Sequence, residues 1–218
     1  MKFFDRAALS VVLADGTKKL ALDLDGKQHE QLLDYLALLF KWNSVYNLTS
    51  LRDPLQMVTL HLLDSLAAVP AFAQAHNVLD VGAGGGLPGI VLAIARPDVN
   101  VSLIDTVHKK TAFLKQVKAE LELANVTVYT AKVQQLQVQQ PFDVITSRAF
   151  ADLSDFVTWS GHLLAEGGQF IALKGVAPAN ERENLPAPWK ASDLQPLRVP
   201  GLEAERHLVF ITRSQQTE

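Results

Sequence analysis

The stretch that most constrains this chain is Asp80-Val81-Gly82-Ala83-Gly84-Gly85-Gly86-Leu87-Pro88-Gly89. It follows the short apolar run from Val78 and leads into an apolar segment, so it reads as a strand, a glycine loop and the start of a helix. Glycines at such a bend admit positive φ and let a ligand approach the backbone. Two binding patterns overlap here. Gly84, Gly86 and Gly89 fit the G-x-G-x-x-G of a dinucleotide site, whereas Gly82, Gly84 and Gly86 fit the G-x-G-x-G of an S-adenosylmethionine site. Asp80 weighs between them. A pyrophosphate needs bare N–H groups and positive potential, which a carboxylate two residues before the first glycine opposes. The ammonium and sulfonium of S-adenosyl-L-methionine are favoured by the same charge. The residues thus favour the methyl donor, with a dinucleotide and a ligand-free turn as the alternatives.

The flanking pattern extends this unit into a fold. A helix is predicted from Pro88 to Arg96, a strand from Asn100 to Asp105, a helix over 109–123, and strands over 126–129 and 142–146. A helix over 153–164, a turn at Gly167-Gly168, a strand over 170–173 and a closing hairpin of 194–199 with 207–211 follow. Alternation at this rhythm predicts an α/β fold, a mostly parallel sheet with helices on both faces. Before residue 76 the pattern is helical. Leu32, Leu33, Leu36, Leu39 and Phe40 share a face over 28–43; Asp53-Pro54 starts another helix, with Leu55, Val58, Leu62 and Leu66 on one stripe. The predicted division is a helical extension over 1–75 and a nucleoside-binding domain over 76–218. Asp105 ends the second strand, where an acid can accept hydrogen bonds from both ribose hydroxyls or cap the next helix.

Composition narrows the function. Cysteine is absent, which excludes disulfides, thiolate metal sites and methylation at C5 of a pyrimidine through a cysteine adduct. The six histidines show no metal-binding spacing, and neither G-x-S-x-G nor G-x-x-x-x-G-K occurs. The formal charge is −3 and is spread evenly: residues 1–76 carry 7 basic and 8 acidic side chains, 77–150 carry 7 and 6, and 151–218 carry 6 and 9. A protein gripping naked duplex through many phosphates needs a broad basic belt, so a nucleic-acid role must rest on a few placed cations or a structured target. No apolar run reaches the ~18 residues of a membrane span, and Met1-Lys2-Phe3-Phe4-Asp5-Arg6 is unlike a secretion signal. A cytoplasmic protein, a monomer that meets no membrane, is the expectation.

Short motifs in order carry a family resemblance across nearly the whole chain. They are Lys41-Trp42-Asn43 with Tyr46-Asn47-Leu48-Thr49-Ser50, Arg52-Asp53-Pro54, His61-Leu62-Leu63-Asp64-Ser65, and Asp80 to Gly89. Arg96-Pro97, Asp105 with Lys109-Lys110 and Phe113-Leu114, Ser147-Arg148-Ala149-Phe150, Leu173-Lys174-Gly175 and Glu205-Arg206-His207-Leu208 complete them. The chain resembles the RsmG (GidB) methyltransferases, class I S-adenosylmethionine enzymes with an added N-terminal helical part. The resemblance implies methylation of N7 of one guanine in a 16S rRNA loop near the decoding centre, within the small ribosomal subunit or an assembly intermediate. It implies Gly82 and Leu87 at the donor, Val133 and Gln134 at the adenine, and Arg148 between donor and RNA. Gln134 departs from the family's usual Glu, keeping hydrogen bonding but no charge; Ala83 replaces a common Thr or Ser.

Guanine N7 carries a lone pair and no proton, so transfer needs placement rather than a general base, and no catalytic residue is named. Candidate donor-site residues are therefore Asp80, Gly82, Gly84, Leu87, Asp105, Val133, Gln134 and Arg148. Arg148, at a strand end, could bind phosphate or fork onto guanine O6. Lys174, Arg206 and Lys132 are further RNA contacts, while Lys109 and Lys110 read as a solvated helix face. His61 reads as a satisfied core residue and Trp42 with Tyr46 as packing. The competing functions are a same-fold methyltransferase for another RNA or small molecule, an NAD-dependent oxidoreductase, and a non-enzymatic ribosome-assembly factor.

Overall fold

The computed structural model describes residues 3–148, 150, 152–192 and 194–214. Met1 and Lys2 of the N-terminal reading, and Ala149 of the motif around Arg148, lie outside them. Helix α1 (Arg6–Lys19) is capped by the Asp5 side chain, and α2 (Gly26–Tyr46) opens on a reciprocal cap between Asp25 and Gln28. The apolar face of α2 buries Leu32, Leu33, Leu36 and Leu39 completely. Asn47 ends it in the left-handed conformation, φ 51°.

A continuous helical run then covers Pro54–Phe72. It comprises α3 (Pro54–Met57), a π-helical turn (Val58–Leu63), α4 (Asp64–Ala68) and a 3₁₀ turn (Val69–Phe72). Asp53 caps it and Pro54 takes the first helical position, as expected. The wide turn resets the phase of the apolar stripe. Met57, Val58, Leu62 and Leu66 are buried, but Leu55, placed on that stripe by spacing, is 49% exposed. The run is also long and apolar enough to cross a membrane, contrary to the sequence reading; its apolar side chains instead join the core shared by the helices and the sheet.

Strands β1 (Asn77–Val81), β2 (Asn100–Asp105), β3 (Val126–Thr130), β4 (Phe142–Ser147) and β5 (Leu164–Lys174) pair in parallel. Between them run α5 (Gly89–Ala95), α6 (His108–Glu120) and α7 (Leu153–Ser160). After α8 (Ala179–Glu183), β6 (Trp189–Ala191) and β7 (Gln195–Pro196) both pair antiparallel with β8 (His207–Arg213), which closes on β5. The order is β3-β2-β1-β4-β5-β8-β6. Alternate residues of β1 face two cores, Val78 toward α2, α5 and α6, and Leu79 and Val81 toward α7.

Three elements differ from expectation. Helix α7 ends at Ser160, whose hydroxyl bonds back to Phe156 O, and a 3₁₀ turn leads into β5. Gly167 and Gly168 form no separate turn: they lie inside β5, where the pairing with β4 slips and Gly167 has φ 72°. The closing hairpin shrinks to a two-residue β7. The strand order reverses between β1 and β4, so their carboxyl ends frame the crevice where open α/β sheets bind ligands.

Candidate functional site

Beyond Val81 the chain turns on Gly82, Gly84 and Gly86, with φ of 71°, 55° and 92°. The left-handed positions are those of the G-x-G-x-G pattern. Gly89 is needed for a different reason. It starts α5 against Asp80, and a Cβ there would meet the buried Leu103 and stand 2.7 Å from Asp80 Oδ2. Three groups hold the loop. Gly84 N–H donates to Asp105 Oδ2 (3.0 Å), Gly89 N–H donates to Asp80 Oδ2 (2.9 Å), and the Tyr35 hydroxyl of α2 donates to Gly85 O (2.6 Å). Helix α2 therefore braces the loop directly.

Asp80 is fully buried beneath this loop, and its Oδ1 has no hydrogen-bond partner among the described residues. Burial pushes its carboxyl up to about 7, against the opposing pull of the Gly89 N–H and the Arg148 charge. Beside it opens a cavity of about 250 Å³ at the ends of β1 and β2. Gly82, Asp105, Val133 and Gln134 line it, with Ile104 and Val107 as aliphatic walls and Phe150 and Trp159 across the mouth. Those two rings meet edge-on at 5.6 Å. Asp105 is 7% exposed, accepts from Gly84 and Val107 N–H, and faces Lys110 Nζ at 3.5 Å. Apolar walls, a carboxylate at the strand end and an orphaned acidic oxygen under the loop fit a cationic nucleoside, and the volume suits one nucleoside better than two. Asp80, Gly84, Leu87 and Arg148 do not line this cavity. Asp80 and Gly84 act on it through the loop, Leu87 is packed in the core, and Arg148 belongs to the next cleft.

That cleft, about 320 Å³, gathers Arg148, Lys174 and Arg206 with His61, Asp64 and His207. Arg148 Nη1 donates to Asp64 Oδ2 (3.2 Å) and Leu60 O (3.2 Å), and Arg206 Nε donates to Asp64 Oδ1 (2.8 Å). Lys174 is committed to Glu181 (2.7 Å) and Phe150 O (3.0 Å). Lys132 stands apart, exposed before the 3₁₀ turn of Val133–Gln135. His61 is buried, its Nε2 is hydrogen-bonded to the Thr49 hydroxyl (2.9 Å), and its pKa is held down to about 4 chiefly by burial. Trp42 packs between Tyr46 and Phe113. A larger groove of about 600 Å³ lies between the end of α2 and the start of α3. There Asn43 and Arg52 are turned onto neighbouring backbone carbonyls, and no glycine loop or strand end reaches it.

The family model for GidB, rRNA small subunit methyltransferase G, matches residues 28–209. The chain belongs to the rRNA small subunit methyltransferase G family. It is 69% identical over 98% of its length to the whole of the ribosomal RNA small subunit methyltransferase G of Herminiimonas arsenicoxydans. It is 68% identical, over 98% of this chain and 99% of the other, to that of Janthinobacterium sp. (strain Marseille). Among solved structures, TrmN from Thermus thermophilus superposes with TM-score 0.52 at 20% identity, covering 68% of this chain and 48% of that one. The ribosomal protein L11 methylase of Lactobacillus delbrueckii subsp. bulgaricus gives 0.53 at 20%, covering 70% and 77%. At such identity the structures carry the fold alone, that of the class I methyltransferases. This rRNA small subunit methyltransferase G family member is accordingly an S-adenosylmethionine-dependent rRNA methyltransferase.

Sequence reasoning passed over Asp64 and Tyr35 as site residues. The signal for Asp64 was an acid inside the apolar run of residues 58–69. Tyr35 carried no signal, since a buried tyrosine on a leucine-rich face reads as packing.

Proposed function

We propose that the protein methylates N7 of guanine 527 of 16S rRNA, in a loop near the decoding centre, on the small ribosomal subunit or an assembly intermediate. The observation that supports this best is adjacency. The nucleoside-sized cavity at the end of β1 and the arginine cleft at the end of β4 are joined by the hydrogen bond from Lys174 of the cleft to Phe150 O of the cavity, beside the switch point between β1 and β4.

When bound, S-adenosyl-L-methionine supplies a methyl group on a sulfonium. Asp105 would hold its ribose end, Val133 and Gln134 would flank the adenine, and the Asp80 carboxylate beneath the loop would favour its cationic end by charge. Gly82, Gly84 and Leu87 shape that loop. Arg148 and Arg206 receive RNA phosphate in the cleft, Lys174 fixes the wall between the two sites, and Lys132 meets RNA at the rim. The guanine needs no base to activate N7, so these residues act by placement, an effect worth up to roughly 7–11 kcal/mol in ideal cases. The target base must leave its stack to reach the cavity, which a loop permits at low cost.

In this reading residues 1–75 are a helical extension packed on a methyltransferase domain of residues 76–218, and the protein works as a cytoplasmic monomer. A chain with more acids than bases is suited to an RNA already partly coated by protein. The test is methyl transfer to small subunits from a strain lacking the enzyme, beside protein-free 16S rRNA. Faster transfer to subunits is expected. Equal transfer to naked RNA removes the ribonucleoprotein substrate, and binding of NAD in place of S-adenosylmethionine removes the reading altogether.

A further inference from the structure

The π-helical turn does more than shift a stripe. Within it the Asp64 N–H turns to Thr59 O and His61 O rather than to Leu60 O, its acceptor in a regular α-helix. Arg148 Nη1 takes that carbonyl at 3.2 Å, and the His61 ring meets it at 3.0 Å. One residue further on, the Asp64 side chain is 5% exposed and divides its two oxygens between two arginines from distant parts of the chain. Arg148 follows β4 and Arg206 precedes β8.

Burial of the carboxylate and exposure of the cations make an asymmetric cluster. The arginine side chains keep 28% and 25% of their surface. Among the described residues Nε and Nη2 of Arg148 and Nη2 of Arg206 have no acceptor, while Nη1 of Arg206 donates only to the carbonyl of Glu205. One carboxylate against two guanidinium groups leaves a net positive charge directed at the cleft. Glu181 already answers Lys174. A buried ion pair kept for stability alone needs only one arginine, with its donors used up. Two partly used forks around one acid have the form of an anion receptor.

We infer that Asp64 is a positioning residue, which aligns Arg148 and Arg206 as a joint receptor for a single RNA phosphate beside the target guanine. The inference rests on the RNA reading of this cleft proposed above. Asp64 touches neither donor nor base; it sets the spacing and orientation of the two forks and prevents them from swinging apart by mutual repulsion. With the phosphate seated in one place, the guanine attached to it is presented to the neighbouring cavity in one pose.

The experiment uses the full chain with unmethylated small subunits and radiolabelled S-adenosylmethionine. Asp64→Asn keeps the shape and removes the charge. Its kcat is expected to fall tenfold or more, with donor affinity by calorimetry unchanged within twofold. Its KM for subunits should be unchanged or lower, because both cations remain. Asp64→Glu, which restores the charge on a longer stem, should recover part of the loss. A kcat within twofold of wild type overturns the inference, as does a loss of donor affinity matching the loss of turnover. Should Asp64→Asn not fold, Arg148→Gln, Arg206→Gln and the double variant decide. Forks aligned through one carboxylate should give a double loss well short of the product of the single losses, and a simple product overturns the inference. A wild-type protein that binds donor yet leaves subunits unmethylated overturns the RNA reading and this inference together. Wild-type turnover with a neutral Asp64→Asn overturns the inference alone.

Discussion

Replacing Asp80 by asparagine separates the needs of the fold from those of the donor. The carboxylate is fully buried, one oxygen accepts from Gly89 N–H at 2.9 Å, and the other has no partner among the described residues. Burial lifts its carboxyl from an ordinary 3.8 to about 7. A group whose folded pKa is raised contributes stability that is fully present below the unfolded value and is lost as pH rises through the folded one. Between pH 5 and pH 8 the stability of wild type relative to Asp80→Asn should therefore fall by about 2–3 kcal/mol. The ligand-free variant gains on the wild type as the solution becomes alkaline. Donor binding runs the other way. If the ligand's cationic end is bound only when the carboxylate beneath the loop is ionised, the dissociation constant of S-adenosylhomocysteine for the wild type should drop about tenfold from pH 6 to pH 8. The variant should bind weakly and without that slope. Urea titrations at the two pH values and calorimetry across the range measure both effects. A wild-type-minus-variant stability that stays constant with pH would refute the reasoning, since it would mean that Asp80 is ionised to the same extent folded and unfolded.

Tyr35→Phe removes the donor to Gly85 O and should cost about 1–2 kcal/mol, read partly in chemical denaturation and partly as weaker donor binding; unaltered donor affinity would show that α2 does not brace the loop. Gly89→Ala forces a methyl group against Leu103 and Asp80, so its unfolding free energy should fall by about 1–3 kcal/mol, and an unchanged melting curve would contradict the packing described. His61 is held neutral, with a folded pKa depressed from 6.5 to about 4. Its contribution is present above the unfolded pKa and is lost as pH falls toward 4, so acidification from pH 7 to pH 5 should destabilise the wild type by about 2 kcal/mol more than His61→Gln; parallel pH profiles would count against a neutral buried ring.

The parallel sheet was legible because its strands are short apolar runs, β1 and β5 followed by glycine and β2 ended by Asp105, and the loop because glycine is the residue that tolerates its φ values. Asp53-Pro54 announced a helix start by capping chemistry alone. What stayed hidden depends on tertiary contacts. The π-helical turn has no local signature in Val58-Thr59-Leu60-His61-Leu62-Leu63, so Leu55 was placed on a stripe it does not share. The short polar elements α8 and β6 lack any period to detect. Of the donor candidates, Gly82, Asp105, Val133 and Gln134 meet at one cavity, whereas Arg148 faces the neighbouring cleft. That Arg148 and Arg206 share Asp64 could not be read from spacing, since 84 and 142 residues separate them from it.

The central claim is that a donor seated over the glycine loop passes its methyl group to one guanine N7 of 16S rRNA. Small subunits from a strain lacking the enzyme, incubated with this protein and S-adenosylmethionine, can be digested and their rRNA fragments weighed by mass spectrometry. The account predicts a single fragment heavier by one methyl group and yielding N7-methylguanosine. A methyl group on another atom or another base, or unmethylated rRNA despite donor binding, would contradict it.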